Sequence, residues 1–473
     1  MRKFFFVLLA SATLVLKGHS QDSTFFYSAQ VAAAGSTSGV PFWLYANQNA
    51  TIPDKGSFLA GRASFHRLYN VNNPRFLQWS GGVELAAYAN KKSSVFFTDL
   101  FIAGKAGPVE LSIGQRKDFV GLGDSLLTMG SVAMSLNYRP YPKIQLSTPK
   151  YVNLIPGSDF FSFKLSYSDG ILGSGNIHYG NVTSVPEIYL HQKSVYLKLG
   201  GSHHKLNLFA GFNHQAMWGG EEKIFTGGLK TSAAYEYVVF GKPWGNSRVG
   251  NHFGTIDVAA EWKGKAWNLF LYRQTIYEDG SLSNLSSVAD GLSGLRFKRK
   301  KRLGSDQAFQ FNTVLLEFLY TKNQGGAVFD FASGIFGKDN YFNHYVYAQG
   351  WSYRGRGLGT PMLPPQNTIR ENLTIEPTAF TANNKVIAYH LAAEASWKRL
   401  NFLFKGSYSQ NFGTYEHEIA PYLSQTSLLL KVETPLSARN NDLLSLSLAS
   451  DFGQLYPRNM AVMIGWKKSG FIR

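Results

Sequence analysis

Residues Leu400-Asn401-Phe402-Leu403-Phe404-Lys405-Gly406-Ser407-Tyr408 decide the fold. In an extended chain Leu400, Phe402, Phe404 and Tyr408 fall on one face, and Asn401, Lys405 and Ser407 on the other, because successive strand side chains point to opposite sides. The alternation recurs at Val195-Tyr196-Leu197-Lys198-Leu199, at Ile256–Trp262 (IDVAAEW) and at Leu444–Leu448 (LSLSL). A soluble sandwich of such strands is complete in far fewer residues. A long series of them behind an export signal predicts an all-β fold: a transmembrane antiparallel up-and-down β-barrel with lipid outside and polar residues in the lumen.

Met1 to Ser20 reads as a cleaved signal peptide. Arg2 and Lys3 form its charged start, Phe4 to Leu16 its apolar core, and Gly18 and Ser20 the small residues of a cleavage site. The apolar stretch is shorter than the ~18 residues a spanning helix needs. Loss of Arg2, Lys3 and Lys17 lowers the formal charge from +17 to +14. No later segment is long and apolar enough for a membrane helix, so residues 21–473 are expected to span the outer membrane as strands, with 21–80 leading into the barrel. The chain has no cysteine, and a closed sheet supplies the rigidity that disulfides would otherwise give. Its 36 Phe, 25 Tyr and 9 Trp suit lipid-facing bands and interfacial girdles.

From Val195 onward short and long connections alternate. Short ones fall at Gly200–His204, Lys263–Ala266, Lys322–Gly326, Lys398–Arg399 and Pro435–Asn441. Long ones fall at about 214–253, 276–307, 332–385 and 412–425. Outer-membrane barrels have short periplasmic turns and longer external loops, which leaves the C-terminus in the periplasm. Thr231–Lys242 (TSAAYEYVVFGK) breaks the parity if counted as a span. It is expected inside an external loop, as a short helix over the barrel mouth. Upstream, strands are expected at about 83–89, 95–103, 109–116, 143–149 and 160–167. Strands of ~10 residues with alternating loops give roughly 16–20 strands, 18 as the central value. The alternation places Glu84, Glu110, Arg116, Asp257, Glu261, His390, Glu394, Lys431 and Glu433 on the lumen face, where opposite charges brace the interior.

Several blocks resemble the capsule-assembly Wzi family of outer-membrane barrels in its Bacteroidetes-like form. They are Pro41–Gln48 (PFWLYANQ) with Pro53, Gly121–Ser125 (GLGDS), Asn137–Ile144 (NYRPYPKI) and Leu190–Ser194 (LHQKS). Gly211–Gly220 (GFNHQAMWGG), Gly250-Asn251-His252, Tyr320–Gln324 (YTKNQ) and Gly350–Pro361 (GWSYRGRGLGTP) follow in order. The resemblance implies a lectin that holds capsular or exopolysaccharide at the cell surface. The chain departs from that pattern at Ala50, in its Phe471-Ile472-Arg473 ending, and in lacking a helical N-terminal bundle.

Two loop clusters combine the groups a sugar needs: an aromatic face for a pyranose ring and planar donors for hydroxyls or uronates. One is Trp218 with His214 and Gln215; the other is Trp351 with Tyr353, Arg354 and Arg356. Both are expected in external loops, with girdle Trp and loop-bracing Arg as the structural alternative. The basic run Arg296, Lys298, Arg299, Lys300, Lys301 and Arg302 is expected outside too, facing lipopolysaccharide phosphates or an anionic polysaccharide, or simply solvated. Export excludes nuclear targeting and argues against nucleic acid.

Gly123-Asp124-Ser125-Leu126 spells an esterase signature. Such an enzyme needs an oxyanion hole and a His placed by an Asp. No Asp here is followed three residues later by His, so Asp124 reads as a turn residue and the protein as no enzyme. His203-His204 lacks the spacing of a metal site; neither metal nor cofactor is called for. A carbohydrate-binding barrel leads this reading, a diffusion porin for small polar solutes is the alternative, and an outer-membrane esterase ranks last.

Overall fold

A strand with one apolar face is stable in lipid only if every backbone group is paired, which a sheet achieves by closing on itself. The computed structural model describes residues 24–472 apart from 71, 73–74, 246, 279–285, 301–307, 331–334, 376–378 and 438–440. The expected signal peptide lies outside these residues. Eighteen antiparallel strands close the barrel. The first nine are β1 (Phe25–Ser36), β2 (Phe58–Arg67), β3 (Leu77–Ala89), β4 (Ser93–Ala106), β5 (Val109–Gln115), β6 (Lys143–Ser147, resumed at Val152–Ile155), β7 (Ser158–Tyr179), β8 (Val182–Leu199) and β9 (Leu206–Trp218). The rest are β10 (Asn251–Lys263), β11 (Trp267–Glu278), β12 (Gly291–Arg299), β13 (Gln310–Tyr320), β14 (Val386–Trp397), β15 (Leu400–Gly413), β16 (Glu418–Pro435), β17 (Asp442–Gly453) and β18 (Asn459–Phe471). β1 pairs with β2 on one side and β18 on the other, from Phe26↔Phe471 to Ser36↔Ala461, so no edge is left open.

The segment 21–80, expected to lead into the barrel, already contains β1, β2 and the start of β3. Along β18, Met460, Val462 and Ile464 are exposed while Ala461 is buried, the lipid-out pattern the alternation predicts. At one end the connections are short; at the other, residues 37–57, 116–142, 219–250 and 321–385 form long excursions. The long-loop end is external, and β1 starts and β18 ends at the periplasmic end. That inner rim carries Trp79, Trp262 and Trp397 facing outward, an interfacial girdle. Arg67 sits 4.0 Å over Trp79, Arg299 4.6 Å over Trp267 and Lys398 5.0 Å over Trp397, cations on ring faces.

Three topological expectations change. The expected long loop 276–307 contains a further strand, β12. On its lumen face Gly294 makes room for the Tyr272 ring of β11, from which a Cβ there would stand 2.2 Å; its outward row holds only Leu295 and Phe297 between Ser293 and Arg299, too short an apolar run to mark the strand in the sequence. The C-terminal end of β12 and the start of β13 therefore lie at the periplasmic end. Lys322–Gly326, expected as a periplasmic turn, instead opens the external connection 321–385. The two differences cancel, so the strand number and the inward C-terminus stand. The expected loop 412–425 shrinks to 414–417, because β16 starts at Glu418.

A helix, α1 (Thr231–Phe240), does occupy the TSAAYEYVVF segment. It covers the outer wall of the barrel rather than its mouth. Trp218 continues the outward-facing row of Leu206 and Leu208 on β9, and the Trp218 and Tyr235 rings lie 5.7 Å apart. The Tyr235 hydroxyl donates to Asp169 at 2.7 Å, on the outward face of β7.

Candidate functional site at the external end

The external half of the lumen is filled by chain. Loop 116–142 descends along the inner wall and is tied to it by polar contacts. Glu317 of β13 accepts from the Met129 N–H (Oε2, 2.6 Å), from the Thr128 hydroxyl (Oε1, 2.6 Å) and from the Tyr272 hydroxyl. His390 of β14 donates from Nε2 to the Leu127 carbonyl at 2.8 Å. Gln274 of β11 accepts from Ser131 and from the Val132 N–H, both at 3.2 Å. Each contact satisfies a buried polar group that would otherwise cost about 1–3 kcal/mol. Asp118 in the same loop lies 3.0 Å from Lys143. Burial alone would raise its carboxyl, but the Lys143 ammonium holds it below the usual range.

Two tryptophans lock other segments onto this loop and wall. Trp43, from residues 37–57, donates from Nε1 to Ser407 at 2.9 Å, under the Lys405 ammonium 4.9 Å from its ring. Trp351, from residues 321–385, is 0% exposed and donates to the Ala133 carbonyl at 2.8 Å. Phe253 of β10 packs its ring 5.5 Å from Trp351. Of the lumen charges expected as bracing, Glu84 pairs with the plug's Lys117 at 2.7 Å; the plug's Asp124 also pairs with Arg296 of β12 at 3.2 Å. Others pair along the wall or just above it, Glu110 with Arg116 at 3.0 Å and Lys431 with Glu433 at 2.6 Å.

The candidate sugar-binding residues do not converge. His214 and Gln215 are neighbours on β9 and so face opposite ways. Gln215 is buried toward the lumen, while His214 is covered by α1 outside it, donating from Nε2 to His252 Nδ1 at 2.9 Å. Trp218 is 4% exposed, sandwiched near Tyr189 and Tyr235. Arg356 is buried against Asp54 at 3.7 Å and lies 4.8 Å over the Tyr45 ring. Tyr353 is half-buried, and Arg354 alone of the seven is exposed. In this conformation neither Trp218 nor Trp351 offers a ring face to a ligand, because the loops that carry them fold back onto the barrel.

The basic run is displaced as well. Arg296 faces inward to Asp124, Arg299 faces outward over Trp267, and Lys298 lies at the periplasmic end of β12. The Lys300 N–H bonds the Ala266 carbonyl of the neighbouring periplasmic turn at 3.0 Å. Lys301 and Arg302 lie outside the described residues. The described part of the run, Arg296–Lys300, therefore lies on β12 and at its periplasmic end, not in an external loop.

At the esterase-like motif, Asp124 Oδ1 accepts the Leu126 and Leu127 N–H groups at 3.0 and 3.1 Å, a turn closed by its side chain. Ser125 is exposed, and among the described residues no histidine bonds it. Among the described residues no group of three or more His, Cys, Asp or Glu is disposed to hold a metal ion.

Four aromatic rings, two of them exposed, do gather at the external end, outside the two clusters expected to bind sugar. Tyr179 at the β7–β8 tip, Phe225 and Trp244 of loop 219–250, and Tyr345 of loop 321–385 stand together. The one local signal was the aromatic spacing His344-Tyr345-Val346-Tyr347 within a long loop.

No protein-family model matches the chain, and no curated protein matches it. Among solved structures, Wzi of Escherichia coli, an outer-membrane protein involved in group 1 capsule assembly and a carbohydrate-binding β-barrel, superposes with a TM-score of 0.57. The match covers 93% of this chain and 83% of that one at 15% identity. OccAB4 of Acinetobacter baumannii covers 95% and 99% at 11% identity, TM-score 0.48. OccK5 of Pseudomonas aeruginosa covers 96% and 100% at 10% identity, TM-score 0.44. The first likeness concerns the fold, that of an outer-membrane barrel.

Proposed function

We propose that this outer-membrane barrel, exported by a signal peptide at residues 1–20, binds carbohydrate and assembles or retains capsular or exopolysaccharide at the cell surface. It does so without catalysis, metal or cofactor. The observation that carries this reading is the filled external lumen: loops held by Glu317, His390, Trp43 and Trp351 turn the barrel into a support for its outer face. The sequence blocks that resemble the Wzi family and the fold in common with the carbohydrate-binding barrel of Escherichia coli point the same way. A diffusion porin is the second reading, favoured by one feature. Lumen-facing Gln145 Oε1, Ser168 Oγ, Asn213 Nδ2 and Gln215 Oε1 are buried without a hydrogen-bond partner, as on a wall built to meet water.

Refolded protein examined by planar-bilayer conductance and by glycan-array binding separates the two. Glycan binding with a silent bilayer is expected; a steady open conductance without glycan binding would establish the porin. Ser125→Ala is expected to leave surface function unchanged. An esterase activity of the purified barrel that this substitution abolishes would overturn the non-catalytic reading.

A further inference from the structure

We infer that the carbohydrate site is an aromatic ridge across three external segments, running Trp244–Phe225–Tyr179–Tyr345–His344. The inference rests on the carbohydrate-binding reading and gives it a location and a ligand class. Ring centroids are 5.0 Å apart for Trp244–Phe225, 4.9 Å for Phe225–Tyr179, 6.3 Å for Tyr179–Tyr345 and 4.7 Å for Tyr345–His344. Tyr345 is 60% exposed and Tyr179 42%, so the middle of the row is open to solvent.

The ridge stands clear of the bilayer. A membrane strand needs about 9–11 residues, whereas β7 has 22 and β8 has 18, and Tyr179 is the last residue of β7. A short ladder fixes the loop to this protruding hairpin. The His178 N–H donates to Val346 O at 2.8 Å, the Ala348 N–H to Asn176 O at 3.0 Å, and Ile177 bridges Tyr347. Beneath it, the buried Tyr347 hydroxyl donates to Glu221 at 3.0 Å, joining loop 321–385 to loop 219–250. The platform is therefore held in place before any ligand arrives, which lowers the ordering cost of binding.

Its chemistry fits a sugar chain. Tyr179 and Tyr345 meet edge to face at 66°, so each exposed ring offers its own face to the apolar C–H side of one pyranose residue, and the tyrosine hydroxyls supply polar groups at the rim. His344 Nδ1 accepts the Val346 and Tyr347 N–H groups at 3.1 and 3.2 Å, so Nε2 carries the proton and is a donor beside Tyr345. The row itself contains no lysine, arginine or carboxylate. The ligand is accordingly an uncharged run of hexopyranose residues within a surface polysaccharide, bound by stacking rather than by charge.

The test uses the full barrel in detergent, with a defined hexose-oligosaccharide array and polysaccharide extracted from the host as probes. Tyr179→Ala and Tyr345→Ala are each expected to weaken binding about threefold to tenfold, the size of one lost ring contact, and the pair by more. Tyr345→Phe keeps the ring and is expected to stay within about threefold of wild type. Raising salt is expected to change binding little, since screening acts on charge. Heat-modifiable migration reports that each variant is folded. Wild-type binding that the double alanine variant matches, or a Phe variant as weak as the Ala variant, overturns the ridge and leaves the lectin reading standing. Wild type that binds no glycan at all overturns that reading and the ridge with it.

Discussion

The two ends of the barrel solve opposite problems with the same chain. At the periplasmic end, tight turns are flanked by Arg67, Arg299 and Lys398 stacked on Trp79, Trp267 and Trp397. At the external end, long loops fold inward as a plug and outward as the α1 flap, and basic side chains there meet partners such as Asp54, Glu236 and Glu418. The difference teaches that the excess positive charge of this chain is no guide to its outer face. Residues Arg296–Lys300 belong to the inner rim, while uncharged rings crown the outer one.

The comparison is broken most forcefully at the plug. Trp351→Ala removes a fully buried ring and is expected to cost the plug about 3–5 kcal/mol. Fluctuating single-channel currents should then appear in planar bilayers that are silent with wild type. A silent Trp351→Ala barrel with unchanged thermal unfolding would mean that this packing does not hold the lumen closed.

A smaller effect is expected from Glu317→Ala, which leaves the Met129 N–H and the Thr128 hydroxyl without their acceptor. The loss is about 1–3 kcal/mol per stranded group. Hydrogen exchange at Met129 should accelerate while amides in β16 and β17 stay protected; equal acceleration in all three places would point to the whole barrel rather than the loop.

Asp290 sharpens the picture at the base of the largest loop. Its carboxylate accepts the Asn323 and Gln324 N–H groups at 3.0 and 2.6 Å and the Tyr341 hydroxyl at 2.8 Å. Burial nevertheless raises its pKa above the usual value. A carboxyl whose folded pKa is raised favours the folded state most below its unfolded pKa near 3.9 and loses that contribution as pH rises through the folded pKa. Protection of the Asn323 and Gln324 amides, corrected for intrinsic exchange, should therefore decline across that window by at most about 1.4 kcal/mol per pH unit. Asp290→Asn should flatten the dependence; an unchanged slope would assign it to another group.

The smallest change is expected at the inner rim. Lys298→Gln with Lys300→Gln should shift stability by less than about 0.5 kcal/mol and leave surface polysaccharide retention as it is. An epitope placed at Gly264 should label only after the outer membrane is permeabilised. Labelling of intact cells there would invert the barrel and return the basic run to the outside.

Much of this architecture was legible residue by residue. The alternation at Leu400–Tyr408 and Leu444–Leu448 identified real strands, and Glu84, Glu110 and His390 face the lumen as that rule requires. β12 escaped because its outward row offers only Leu295 and Phe297 between Ser293 and Arg299, while its lumen row carries Gly294 and Arg296. Trp218 and Trp351 were legible as aromatic residues at the external end. Their burial was not, since it depends on where their loops come to rest.

Covalent geometry makes the strand period local. Any nine residues reveal which side chains share a face, and with the length of the chain this determined a closed outer-membrane barrel of about 18 strands. The fate of the loops is not local. The Leu127 carbonyl meets a histidine 263 positions away, and Thr128 meets a carboxylate 189 positions away. Contacts at that range leave no periodic trace in the sequence, because either partner alone looks like an ordinary polar residue. Whether the lumen is filled, which tryptophans are hidden and which tyrosines are displayed are therefore decided only when the tertiary structure brings those distant positions together.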